Sequence, residues 1–129
     1  MESKEILKIA ANTLNKKKAE EMFAVKISEL TVLTEYFLIC TGTSSTHVRA
    51  LADEAEQKLS EAGAQLHHIE GRATGWIILD YNSVIVHIFS HNQREFYGLD
   101  RMWSDGEIVN LDEILEASEE GGKNNERKL

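Results

Sequence analysis

Two short apolar segments, Gly75–Tyr81 and Val84–Ser90, are separated only by Asn82 and Ser83. Each segment has the length of a strand and is rich in aliphatic and aromatic residues. Asparagine tolerates the positive φ that a tight hairpin turn requires. The sequence therefore predicts a β-hairpin, and this feature constrains the fold most strongly because a two-residue loop determines the strand pairing.

The predicted pairing gives the hairpin two different faces, because side chains alternate along a strand. One face is almost entirely aliphatic and belongs in a core; its pairs are Tyr81–Val84, Leu79–Val86 and Ile77–Ile88. The other face is mixed; its pairs are Asp80–Ile85, Ile78–His87 and Trp76–Phe89. Aromatic side chains anchor interfaces and polar groups set their register, so the mixed face is a candidate docking surface for a protein. The alternative is that the domain's own terminal helices cover this face, with His87 hydrogen-bonded to Asp80.

Helical and strand patterns surround the hairpin. Before it, the predicted elements are a helix over Ser3–Phe23, a strand over Met22–Leu30, an apolar strand over Tyr36–Thr41, a helix from Val48 to Leu59 capped by Gly63, and a weaker strand over Gln65–Glu70. After it come a helix over His91–Met102, a short segment around Ile108 and an amphipathic turn at Leu111–Leu115. We expect a single layered α/β domain over residues 1–115, with a mixed, about five-stranded sheet and flanking helices. Residues 116–129 are predicted to be a disordered polar tail.

Charge is distributed unevenly along the chain, whose net charge is -8. Between Ile27 and Leu115 there are five basic residues and fourteen acidic ones. An acidic domain of this kind is repelled by a phosphate backbone and attracted to a basic protein. The alternative explanation of the negative charge is that it only keeps the protein soluble. The single cysteine, Cys40, cannot form an internal disulfide, and no secretory signal or membrane-spanning run is recognisable. We therefore expect a cytoplasmic protein.

Few motifs indicate catalysis. The turn Gly42–Ser45 lies between a strand and a helix, where backbone N–H groups can bind a phosphate, but the P-loop and Rossmann patterns are missing. Capping of the helix by Thr43, Ser44 or Ser45 is the favoured interpretation. A similar turn opens the nucleotidyltransferase fold, whose enzymes hold Mg²⁺ with an Asp-x-Asp pair that this chain lacks. A nucleotide-binding or nucleotidyltransferase-like enzyme remains the alternative function.

Four histidines, namely His67, His68, His87 and His91, raise the possibility of a zinc site. Their predicted positions do not converge, and no cysteine pair assists them, so we expect neither a metal nor another cofactor. A dense aromatic cluster follows the hairpin; it comprises Arg94, Phe96, Tyr97, Leu99, Met102 and Trp103. Part of this cluster belongs to the core, and Arg94 with Trp103 could extend a partner surface from the hairpin.

An ordered series of motifs resembles the ribosomal silencing factor (RsfS, iojap) family. The matching segments are Thr34–Val48, Glu70-Gly71, Trp76–Tyr81, Val84–Phe89, Arg94–Asp100 and Met102-Trp103. The resemblance implies an α/β fold similar to nucleotidyltransferases without their catalytic acids, and hence a protein that is not an enzyme. It also implies binding to the large ribosomal subunit through ribosomal protein fourteen, a steric block to joining of the small subunit, repression of translation when nutrients are scarce, and a homodimer when free.

Combining the resemblance with the hairpin geometry gives the expected partner-binding residues. We expect aromatic contacts from Trp76 and Tyr81, and acidic contacts from Glu70 and Asp80. We expect His87 and Arg94 to set the orientation of the partner. Trp103 completes the set of expected partner-binding residues. No membrane contact and no direct sequence-specific contact with nucleic acid is expected.

Overall fold

The computed structural model describes residues 1–27, 34–71, 75–92 and 106–116. The helices are α1 (Ser3–Lys16) and α2 (Ser45–Glu61), and a 3₁₀ turn covers Leu111–Glu113. The strands are β1 (Glu20–Lys26), β2 (Tyr36–Gly42), β3 (His68–Glu70), β4 (Trp76–Asp80), β5 (Val84–Ser90) and β6 (Glu107–Val109). Across these ranges, no helix combines the length and the apolar character needed to cross a bilayer.

The sheet is mixed, as predicted, and its strand order is β3-β4-β5-β2-β1-β6. The central pair β2 and β5 is parallel, and every other neighbouring pair is antiparallel. Within the described ranges the sheet has six strands rather than about five. The additional strand is β6, a three-residue segment around Ile108 that pairs with β1 at the edge of the sheet. A strand this short carries too few alternating residues to be recognised from its pattern.

The hairpin pairing predicted from the sequence is confirmed for five of the six pairs, and at the sixth the N–H of Tyr81 donates to the carbonyl of Val84 at 2.9 Å. Trp76 pairs with Phe89, Ile78 with His87, and Asp80 with Ile85; the alternate pairs are Ile77–Ile88 and Leu79–Val86. Asn82 adopts a φ of 73° in the turn, and its N–H donates to Oδ1 of Asp80 at 2.7 Å. The side chain of Asp80 therefore stabilises the turn that sets this register.

Both helices pack on the same face of the sheet. The aliphatic face of the hairpin lies beneath them, so its predicted place in the core is confirmed. The α2 side chains that point inward are the predicted stripe, namely Val48, Leu51, Ala52, Ala55 and Leu59. Gly63, at a φ of 99°, follows the helix end in the left-handed conformation that the sequence predicted.

The first helix is shorter than its pattern predicts. It ends at Lys16, not at Phe23, and Lys18 turns the chain with a φ of 67° while the N–H of Ala19 bonds to the carbonyl of Leu14. The lysines at the helix end fit an exposed helical face equally well, and no glycine marks the stop. The predicted strand over Met22–Leu30 is β1, Glu20–Lys26, and it begins with a bulge where Glu21 has a φ of 47°.

A buried asparagine in α1, Asn12, is hydrogen-bonded to the backbone of the segment that follows β6. The side chain of Asn12 is 6% exposed; its Nδ2 donates to the carbonyl oxygens of Lys8 at 2.7 Å and Ile114 at 3.0 Å. Its Oδ1 accepts the N–H of Glu116. Asparagine is unusual inside a helix. Here its amide both donates to and accepts from the backbone of the C-terminal segment, as the backbone of a neighbouring strand would.

We predict that Asn12→Ala lowers the free energy of unfolding by about 1–2 kcal/mol, because the partly buried carbonyl of Ile114 and the N–H of Glu116 lose their partner. Urea unfolding measures this change. Asn15→Ala is the matched control, since the Asn15 side chain makes none of these hydrogen bonds. Equal unfolding free energies for the two variants would contradict the role given to Asn12.

Candidate functional site

The candidate site lies on the sheet face opposite the helices, which we call the second face. Its members follow from strand alternation and register: Phe23 and Val25 of β1, Phe37 and Ile39 of β2, His68 and Glu70 of β3, Trp76, Ile78 and Asp80 of β4, and Ile85, His87 and Phe89 of β5. This face combines aromatic, aliphatic, acidic and imidazole side chains. The mixed character expected from the hairpin therefore extends across neighbouring strands.

Aromatic rings form the centre of the second face. Trp76 packs on Phe89 with ring centroids 4.9 Å apart, and Phe37 meets His87 edge-on at 5.2 Å. Phe89 and Ile39 are fully buried, whereas Trp76 and Phe37 are partly exposed. The indole of Trp76 thus packs against a buried ring while the residue stays partly exposed, and an ordered, partly exposed tryptophan suits an interface anchor.

His87 is hydrogen-bonded to Trp76. The indole Nε1–H donates to Nδ1 of His87 at 3.2 Å. The imidazole is 6% exposed, and this burial lowers its pKa to about 4, against a smaller opposing effect of the Asp80 carboxylate. His87 is therefore neutral at pH 7, with its proton on Nε2. The alternative that paired His87 with Asp80 by a hydrogen bond is replaced by the bond to Trp76, and Asp80 acts on the ring through its charge.

Acidic groups border the aromatic centre on the side of β3. Glu70 lies opposite Ile78, and its side chain is 60% exposed; Asp80 lies opposite His68 and is partly exposed. Nε2 of His68 lies 3.0 Å from Oε1 of Glu70. The register places Glu70 and Asp80, the two predicted acidic contact residues, on the same face of the sheet. His68 was not predicted as a member, because β3 is too short to reveal its pairing.

The other predicted partner-binding residues are placed differently. Tyr81 is 4% exposed and packs in the core on the helix side, so its ring offers little surface to a partner. The hairpin register explains this position, since Tyr81 follows Asp80 and therefore points to the opposite face. Arg94 and Trp103 lie outside the described residues, as does most of the predicted helix over His91–Met102.

The turn between β2 and α2 is occupied by the protein's own groups. Ser44 caps α2, as one of the predicted candidates, and its Oγ accepts the N–H of His47 at 3.0 Å. The N–H of Thr43 donates to Nδ1 of His47 at 2.9 Å, and Nε2 of that ring donates to the carbonyl of Lys17, also at 2.9 Å. These N–H groups are the ones a phosphate would need, so the geometry favours capping over anion binding.

Close packing explains the glycine of this turn. A Cβ on Gly42 would lie 2.8 Å from Cγ2 and 3.0 Å from the backbone nitrogen of Val48. We predict that Gly42→Ala lowers the free energy of unfolding by about 1–3 kcal/mol, as overpacking does. Thermal and urea unfolding check this value. The control Ser45→Ala, at an exposed position, is expected to stay within about 0.5 kcal/mol of the parent, and a Gly42→Ala protein of parental stability would refute the packing explanation.

The histidines considered for zinc are separated in the fold. His68 contacts Glu70, His87 contacts Trp76, and His91 contacts Glu20 at 2.9 Å. Among the residues that the structure describes, no group of three or more His, Cys, Asp or Glu side chains could hold a metal ion. Cys40 is fully buried in β2, where a thiol acts as packing.

Comparisons with known proteins agree with this fold. The family model described as "Ribosomal silencing factor during starvation" matches residues 1–129. The ribosomal silencing factor RsfS of Bacillus subtilis is 36% identical over 113 residues, which cover 87% of this chain and 96% of that protein. That of Halalkalibacterium halodurans is 32% identical over 116 residues, which cover 89% of this chain and 99% of that protein. A crystal structure of a Chromobacterium violaceum protein superposes with a TM-score of 0.76 at 33% identity, covering 80% of this chain and 87% of that one.

Proposed function

We propose that this chain, which belongs to the family of ribosomal silencing factors, binds the large ribosomal subunit and thereby prevents the small subunit from joining it. Family membership supports a role in silencing ribosomes. The second face supports the manner of binding, because it presents a supported tryptophan beside acidic groups. The single observation that carries the proposal is the position of Trp76, which packs against its cross-strand neighbour Phe89 and is partly exposed.

The proposed partner on the subunit is a basic protein surface. Asp80 and Glu70 give the edge of the second face a negative charge, and the chain as a whole carries a net charge of -8. Complementary charge accelerates association and orients the partners, whereas the RNA of the subunit would repel an acidic domain. We propose that this partner is ribosomal protein fourteen, as the family resemblance implies, on the surface of the large subunit that faces the small one.

The block to subunit joining is steric in this proposal. A domain bound on the joining surface occupies space that the small subunit needs, so no catalytic group is required. The protein is accordingly proposed to be non-enzymatic, to act in the cytoplasm when nutrients are limiting, and to form a homodimer when it is not bound. The groups occupying the Gly42–Ser45 turn argue against the nucleotide-binding alternative.

The contact residues proposed in the described part of the chain are Trp76, Asp80 and Glu70. Arg94 and Trp103 stay predicted extensions of the same surface. Tyr81 is not proposed to touch the partner directly, because it is buried beneath the helices. His87 is also buried and contributes through Trp76.

Co-sedimentation with purified large subunits at several salt concentrations tests this proposal. Asp80→Asn removes the charge but keeps an oxygen that can accept the N–H of Asn82, so the hairpin turn is preserved. We expect weaker binding for Asp80→Asn at low salt and a smaller difference at high salt, because salt screens the attraction. Asp53→Asn, at an exposed position of α2, is the control and should bind like the parent. Equal binding of both variants at low salt would contradict an acidic contact at Asp80.

A further inference from the structure

The hydrogen bond between Trp76 and His87 determines which part of the indole a partner can reach. The Nε1–H of Trp76 points to Nδ1 of a ring that is 6% exposed, so the only strong donor of the indole is directed into the protein. The two ring centroids lie 6.0 Å apart at an angle of 35°, and Phe89 supports the indole at 4.9 Å. Every other atom of the indole is carbon, so any part of this ring that a partner reaches is carbon surface.

His87 can hold the indole in this way only as a neutral ring with a lone pair on Nδ1. Its burial meets this requirement, because desolvation disfavours the imidazolium and lowers the pKa to about 4. Its neighbours Phe37 and Phe89 leave the ring little freedom to turn. The geometry thus contains a fixed acceptor next to the partly exposed indole of Trp76.

We infer that His87 is a positioning residue that holds the Trp76 indole with its N–H group turned inward, so that a partner meets the ring itself. An aromatic ring without an available donor binds apolar groups and cations, and tryptophan is the strongest cation–π acceptor among the side chains. Asp80, on the same strand and face, adds negative charge nearby. The chemistry that fits is the side chain of an arginine or lysine lying over the indole. This inference rests on the proposed docking role of the second face.

Two readouts on the intact protein test the inference. The first is the water-exchange rate of the Trp76 indole N–H, followed by NMR and assigned with Trp76→Phe. We expect His87→Leu to raise this rate about tenfold, as loss of one hydrogen bond does, and His87→Asn to restore most of the protection because its Oδ1 can replace Nδ1 as acceptor. Unchanged exchange in His87→Leu would overturn the inference.

The second readout is affinity for large subunits in a double-mutant cycle. His87→Leu is expected to weaken binding about fivefold to tenfold when Trp76 is present, and to have no further effect in the Trp76→Phe background, which lacks the indole N–H. Equal losses in both backgrounds would mean that His87 acts independently of the indole, and would overturn the inference.

Failure of the docking proposal would have a different signature. Trp76→Phe and Trp76→Ala would then bind large subunits like the parent, while indole exchange would still depend on His87. That result would remove both residues from the interface and leave the hydrogen bond with a structural role only.

Discussion

Replacing Trp76 by alanine is expected to weaken binding to the large ribosomal subunit by about 30-fold or more. Truncating an interface anchor of this type costs about 2–4 kcal/mol, and every 1.4 kcal/mol corresponds to a tenfold change in affinity. The indole packs on Phe89 and is bonded to His87, so it is already ordered before the partner arrives. Little conformational entropy is therefore lost when it is used.

The matched aromatic control for Trp76 is Tyr81, five residues later on the other side of the sheet. Its hydroxyl is buried and has no hydrogen-bond partner among the described atoms, so Tyr81→Phe should preserve both folding and subunit binding. Circular dichroism and unfolding curves confirm that each variant is folded before affinities are compared. A folded Trp76→Ala protein that binds with parental affinity would remove Trp76 from the interface.

The second large effect concerns pH. Burial lowers the pKa of His87 from 6.5 to about 4. Between these two pH values the unfolded chain therefore binds a proton at His87, whereas the folded protein keeps this ring neutral. Stability contributed by the neutral ring is complete above pH 6.5 and is lost as the pH falls toward 4. Relative to neutral pH, we expect His87 alone to lower the free energy of unfolding by about 2 kcal/mol at pH 5 and about 3 kcal/mol at pH 4.

Unfolding free energies measured between pH 7.5 and 4.5 check this dependence. His87→Leu is the informative comparison, because leucine fills a similar volume and has no group that titrates. The difference in stability between parent and His87→Leu should shift in favour of the variant as the pH falls below 6.5. A difference that stays constant over this range would show that His87 does not resist protonation in the folded state.

The hairpin could be predicted in detail because its determinants are local. A two-residue turn with Asn82 leaves only one register, and that register assigns every side chain of β4 and β5 to a face. The same register also shows why Tyr81 could not share a surface with Asp80, although both were expected to contact the partner. Alternation, applied to the end of the strand, places the tyrosine in the core.

Other features depend on contacts between distant segments and could not be read from local patterns. The end of α1 at Lys16 depends on a turn at Lys18. The short strand β6 forms by pairing with β1, which would otherwise be the edge strand of the sheet. The bond from Trp76 to His87 joins residues that are diagonal neighbours across the hairpin, where pairing rules give proximity but not the orientation of the rings. These are the places where tertiary packing decides among locally acceptable alternatives.

The most direct test of the proposed role is subunit joining itself, followed by light scattering when purified large and small subunits are mixed with increasing amounts of this protein. We expect the parent protein to reduce formation of joined ribosomes until each large subunit is occupied, and Trp76→Ala to need far higher concentrations for the same effect. Undiminished joining when the large subunits are saturated with the parent protein would contradict the proposed steric block.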